Sequence, residues 1–121
     1  MPEPERTIES RRIYEGRVLK LRVDTVVLPV GRVSSREIVE HSGAVAIVPL
    51  DSGMNVLMVR QYRKPVEQPL LEVPAGGLDE GEEPEACAHR ELREETGYLA
   101  ARMEALASFF TTPGFCDEVM H

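Results

Sequence analysis

The chain has 121 residues, 14 of them basic and 21 acidic, giving a formal net charge of −7 and a pI near 5.0. That length suits one domain with a modest core, and the acidic balance argues against a nucleic-acid-binding surface. No stretch approaches the roughly 20 apolar residues of a membrane span, and the N-terminal MPEPERTIES has no apolar signal region, so the composition points to a soluble cytoplasmic protein.

In chain order, residues 1–9 are polar and read as a frayed end. RRIYEGRVLKLRVDTVVLP alternates and is rich in β-branched residues, Gly31 marks a turn, and SREIVEHS reads as a returning strand. An N-terminal β subdomain of about three strands, over residues 1–41, follows from this pattern. GAVAIVPL is a continuous apolar run of the kind buried on both faces, and Asp51, Ser52 and Gly53 turn the chain into MNVLMVRQYR. These two segments are expected at the centre of the main sheet. Pro65 and Pro69 bound a short loop, LLEV is a further strand, MEALASFFTT is another, and Pro113 with Gly114 opens a loop toward Glu118.

Between those strands lies GGLDEGEEPEACAHRELREETGY, residues 76–98. Pro84 suits a first helical position, Glu83 and Glu85 put negative charge at the positive end of the helix dipole, and Gly97 supplies a left-handed stop. A helix is therefore expected at about 84–96. On it Glu91, Glu94 and Glu95 share one face, while Ala88 and Leu92 form the neighbouring buried stripe. Helical spacing by itself also fits an ordinary solvated acidic face.

Crowded carboxylates raise one another's pKa unless a cation neutralises them, and hard oxygen ligands suit Mg²⁺ or Mn²⁺. Glycines at 76 and 77 let the main chain turn sharply and bring the Ala75 carbonyl close. Arg90, always cationic, is suited to holding Glu82 or a neighbouring carboxylate rather than a metal. Cys87 and Cys116 lack metal-site spacing and read as reduced small fillers. His41, His89 and His121 form no cluster.

The full pattern is Gly76, five residues, Glu82, seven residues, then Arg90-Glu91-Leu92-Arg93-Glu94-Glu95-Thr96-Gly97 and a bulky Tyr98. It resembles the Nudix box, the signature of hydrolases that cleave nucleoside diphosphates linked to another moiety. Tyr98 departs softly from the pattern, which more often has an aliphatic residue there. Flanking strings, VEHSGAVAIVPL, VRQYR, LLEVPAG and TTPGFCDEV, are similar to the ADP-ribose pyrophosphatase branch of that family.

The resemblance implies an α+β fold: a mixed β-sheet of Nudix type carrying the Nudix helix in residues 42–121, preceded by the small antiparallel β subdomain, which is exchanged between the subunits of a homodimer. It implies Mg²⁺-dependent hydrolysis of ADP-ribose, or a related nucleoside diphosphate sugar, to AMP and ribose 5-phosphate. Glu91, Glu94, Glu95 and the Ala75 carbonyl would hold metal, with Glu82 and Arg90 in support. Arg36 and Glu37 would reach the partner's substrate, Arg63 would contact its diphosphate or ribose, and Glu118 would join the substrate or metal shell. Plainer readings stand beside these: a solvated pair for Arg36 and Glu37, a strand end for Arg63, a turn stabiliser for Glu118. The family pattern further implies strands, another catalytic glutamate and a helix past His121. Two alternatives remain open: a nucleotide-binding module without hydrolysis, and a Nudix hydrolase of another nucleoside diphosphate derivative.

Overall fold

The computed structural model describes residues 2–121. The chain divides into two compact units, one holding the chain up to Ser42 together with Phe110–Val119, the other Gly43–Phe109 with Met120–His121.

In the first unit, β1 (Arg6–Glu15), β2 (Lys20–Val27) and β3 (Val33–Glu40) form an antiparallel sheet of order β1-β2-β3. The β1–β2 turn closes through Gly16 N–H to Leu19 O at 2.9 Å, and the β2–β3 turn through Leu28 N–H to Arg32 O at 2.8 Å, with Gly31 at φ +84°. Only a residue without Cβ takes that φ cheaply. Residues 6–9 are not frayed: Arg6, Thr7 and Glu9 pair with Val27, Val26 and Thr25, so the ladder satisfies their backbone despite their polar side chains. Met1 lies outside the described residues. Asp24, buried, accepts from Ser10 Oγ at 2.6 Å and faces Arg22 Nε at 3.3 Å. The loop 110–119 runs beside the end of β3, where Val39 N–H donates to Phe115 O at 2.7 Å and Asp117 N–H to Val39 O at 3.1 Å.

In the second unit, β4 (Ala44–Ala46) pairs antiparallel with β7 (Ala75–Gly77), and Ala44 pairs parallel with Met120 of β9 (Val119–Met120); the sheet order is β7-β4-β9-β8, where β8 is Phe109–Phe110, and Phe110 and Val119 fall in the first unit. The helix α1 spans Pro84–Thr96. Pro84 occupies its first turn, Gly97 takes the left-handed conformation at φ 78°, and Gly97 N–H donates to Arg93 O. Cys87, Ala88 and Leu92 are its buried residues, and Cys87 and Ala88 join Val45 and Ile47 in the core, against which Leu78 and Met103 pack. Cys87 and Ala88, with Leu92 one turn further on, thus form one buried stripe of the helix, and its first two residues meet Val45 and Ile47.

The strands differ from the expected ones at four places. The run 43–50 is a strand only at Ala44–Ala46, and beyond Val45 it alternates, with Ile47 buried and Ala46, Val48 and Leu50 exposed. VRQYR does not join β4: β5 (Val59–Arg63) pairs with β6 (Gln68–Glu72) in a separate two-stranded hairpin, linked by a short 3-10 turn at Lys64–Val66. Ile47 gives its amide to Pro74 O at 2.8 Å and Pro49 has no amide to give, so the ladder between the two apolar runs shrinks to an isolated bridge between Leu50 and Val56. Pro69 accordingly lies inside β6, opposite Tyr62, rather than closing the loop. Of MEALASFFTT only Phe109 and Phe110 find a ladder partner, on β9. No helix among the described residues is long and apolar enough to cross a membrane.

Candidate active site

The acidic face of α1 lies over β7, and the contact is intimate at one point. A Cβ built on Gly76 would stand 2.1 Å from Glu91 Cδ and 2.4 Å from both its carboxylate oxygens. The Glu91 carboxylate therefore rests on bare main chain. One turn along, Glu95 Oε2 accepts from the Ala75 amide at 3.2 Å. Both glutamates are thereby referenced to the same three-residue strand, which the antiparallel ladder with Ala44–Ala46 fixes in turn.

Arg90 is the hub of the charged cluster. Its Nε and Nη2 donate to the two oxygens of Glu82, each at 2.8 Å, its Nη1 donates to Glu91 at 2.9 Å and Glu94 at 3.1 Å, and Nη2 also reaches Gly77 O at 3.3 Å. Asp79 lies 3.5 Å from the same nitrogen. The planar fork suits such multiple acceptance, which an ammonium could not reproduce. Glu82 also accepts from the Asp79 amide at 3.0 Å, closing the loop between β7 and α1.

These contacts set the electrostatics. The Arg90 guanidinium, helped by the Asp79 amide, lowers Glu82 to a pKa of about 2, and Glu82 in return raises Arg90. Glu91 shifts upward, first through burial and also through Glu94 and Glu95, although Arg90 opposes the change. Cys87, fully buried beneath the cluster, is pushed up to about 11 by burial and then by Glu82. It is a free thiol whose Sγ lies 3.5 Å from Gly77 O.

Four carboxylates, from Asp79, Glu82, Glu91 and Glu94, contact one guanidinium, leaving an excess of three formal negative charges before Glu95 is counted. Hard oxygen donors in excess, one of them partly desolvated, fit a divalent cation. Among the described residues no three His, Cys, Asp or Glu side chains converge on one point as a formed metal centre. Arg90 and the Ala75 amide hold the carboxylates instead.

Of the other residues singled out from sequence, Arg63 belongs to this unit, where its Nε and Nη2 donate to Glu72 at 2.8 and 2.9 Å. Arg36, Glu37 and Glu118 belong to the other unit. There Arg36 grips Glu5 with bonds of 2.9 and 2.7 Å, and Glu37 stands exposed on β3 opposite Val23. Glu118 accepts from Thr111 Oγ1 at 2.7 Å and lies 3.1 Å from His41 Nδ1. Asp79 and Glu72 were not among the residues singled out from sequence. The spacing of Asp79 to Glu82, a single turn, was the available signal for the first, while nothing local marked Glu72.

Residues 40–121 match the family model described as the NUDIX domain, and residues 5–39 match that of the nucleoside diphosphate sugar hydrolase N-terminal domain. The chain belongs to the Nudix family. This Nudix chain is 53% identical over 117 residues to the methanol dehydrogenase activator of Bacillus methanolicus, and 49% identical over 117 residues to the ADP-ribose pyrophosphatase of Bacillus subtilis (strain 168). Each alignment covers 97% of this chain and 63% of the relative, so the chain spans less than two thirds of their length. A crystal structure of an ADP compounds hydrolase aligns with a TM-score of 0.87 at 22% identity, covering 99% of this chain and 65% of that one. The Nudix fold expected from the box, a mixed sheet bearing the Nudix helix with antiparallel strands ahead of it, is the fold observed.

Proposed function

We propose that the protein is a Nudix hydrolase that uses Mg²⁺, or Mn²⁺ in its place, to cleave the diphosphate bond of ADP-ribose or a related nucleoside diphosphate sugar, water adding to give AMP and ribose 5-phosphate. The observation that carries this reading is the carboxylate excess of α1 and of the loop leading into it, gathered around the Arg90 guanidinium, with Glu95 held to the Ala75 amide. The substrate class rests on the 49% identity to an ADP-ribose pyrophosphatase and on the match of residues 5–39 to an N-terminal domain of nucleoside diphosphate sugar hydrolases.

Glu91, Glu94, Glu95 and the Ala75 carbonyl would hold the metal. Bound there, a divalent cation supplies charge neutralisation for diphosphate oxygens and activation of a water. The rest falls to the chain itself. Gly76 leaves room for the Glu91 carboxylate, Arg90 and Glu82 lock the loop that leads into α1, and Arg63 offers a guanidinium to the diphosphate. Pre-arranged charge of this kind costs no reorganisation when the reaction occurs. In the same reading residues 1–41 form the subdomain exchanged within a cytoplasmic homodimer, Arg36 and Glu37 serve the partner's site, and Glu118 joins the substrate or metal shell.

The test is AMP release from ADP-ribose, with Mg²⁺ and with chelator. Release that requires Mg²⁺ supports the hydrolase, whereas tight ADP-ribose binding without release would assign a binding module. Light scattering tests the dimer, and a monomer would remove the roles given to Arg36 and Glu37. A second reading draws on the 53% identity to the methanol dehydrogenase activator: stimulation of a dehydrogenase by this chain. Adding the purified protein to a methanol dehydrogenase assay separates the two.

A further inference from the structure

Arg63 and Glu72 are the terminal residues of β5 and β6, yet they are not opposite each other. Arg63 pairs with Gln68 and Glu72 with Val59, with Gln61 and Leu70 paired between them. All six alternate positions share one face of the hairpin, so the Arg63 side chain runs back along that face to meet the Glu72 carboxylate. It arrives with ideal charge-assisted geometry, Nε and Nη2 on separate oxygens at 2.8 and 2.9 Å. A guanidinium carries five N–H groups, and among the described residues this pairing leaves both on Nη1 without a partner. The Arg63 side chain is 44% exposed, so those donors are open to an incoming anion.

Glu72 is three residues before Ala75, the residue whose amide holds Glu95. Glu95 acts on Arg63 electrostatically as well. One short stretch, residues 72–76, thus anchors both an arginine with free donors and the carboxylate face of α1.

We infer that Glu72 is a positioning residue for substrate: it fixes Arg63 so that the unpaired Nη1 presents its donors to a diphosphate oxygen beside the acidic helix. The inference deepens the hydrolase reading above and rests on it. An unanchored arginine would have to lose its side-chain freedom on binding, at a cost in affinity rather than in the chemical step.

The experiment is steady-state ADP-ribose hydrolysis by the full-length gene product as wild type, Glu72→Gln, Glu72→Asp, Arg63→Ala and the double variant Glu72→Gln/Arg63→Ala, with melting curves for each. Positioning predicts that Glu72→Gln raises KM about tenfold while kcat falls much less, a change of ~1.4 kcal/mol in binding. It predicts partial recovery in Glu72→Asp and no further rise in KM when Glu72→Gln is added to Arg63→Ala. A merely structural role would lower the melting temperature and spread the loss over both constants without that non-additivity. An unchanged or lowered KM in Glu72→Gln, with wild type active, overturns the inference alone. A wild-type protein that neither cleaves nor binds ADP-ribose overturns the hydrolase reading and this inference with it.

Discussion

The Glu91 carboxylate occupies the space that a side chain on residue 76 would need, with 2.1 Å between Glu91 Cδ and a Cβ built on Gly76. This contact joins the strand and the helix of the site, and it explains why glycine stands at the head of the motif. The requirement is room, since Gly76 does not have a positive φ.

Gly76→Ala should therefore swing Glu91 off β7 without unfolding the protein, because the clash is with the far end of a flexible side chain. We expect turnover to fall by about tenfold or more, with a small change in melting temperature. Gly77→Ala provides the contrast, since its Cβ would meet only Gly43 O at 3.9 Å. Equal losses in the two variants would refute the steric account.

Glu95→Gln keeps the shape of a side chain that faces the Ala75 amide but removes its charge. If Glu95 holds metal, turnover should drop by about a hundredfold or more while circular dichroism stays unchanged. Glu82→Gln, at a residue bound to Arg90 rather than offered to a cation, should cost less. A fully active Glu95→Gln protein would remove that residue from the site, and the reverse ranking would exchange the two roles.

Acid should act on the Arg90 cluster in a defined window. Glu82 is ordinarily near 4.5 and is held at about 2 in the folded protein. A depressed carboxylate stabilises the fold fully above its unfolded pKa, and that contribution disappears as pH falls through the folded one. The melting-temperature difference between wild type and Glu82→Gln should then be constant above pH 4.5 and shrink toward pH 2. A difference independent of pH would show that the ion pair with Arg90 contributes nothing.

Cys87 should resist alkylation in the native state. Its thiol is fully buried and its pKa is pushed up to about 11, so little thiolate exists near neutrality. Iodoacetamide at pH 8 should label Cys116, which is only partly buried, well before Cys87. Labelling of both at equal rates in folded protein, read by mass spectrometry, would place Cys87 in a looser environment than the core described.

Leu92 lies 3% exposed on the helix face that meets the core. Leu92→Ala should cost about 2–5 kcal/mol in urea unfolding through lost burial and the cavity left behind. A loss under ~1 kcal/mol would mean that α1 is held mainly by its polar contacts.

Much of this molecule could be read from its residues in order. The helix boundaries at Pro84 and Thr96 depend on a proline and a glycine acting over one turn, and the alternating, β-branched stretch with its returning segment before Ser42 produced three strands. The carboxylate set and its shared face follow from spacing along one helix. Those are local matters, settled by steric and periodic rules that a sequence displays directly.

Tertiary structure decided which strands meet and which charges pair. Ile47 could have extended a ladder toward Val59, but its amide went to Pro74, and the hairpin of Val59–Arg63 with Gln68–Glu72 formed apart. Arg63 could have faced several carboxylates and took Glu72; Arg90 gathered Glu82, Glu91 and Glu94 at once. Candidate pairings between distant residues differ little in intrinsic energy. Their choice rests on which segments the packed core brings within a few ångströms, information that no short stretch of sequence carries.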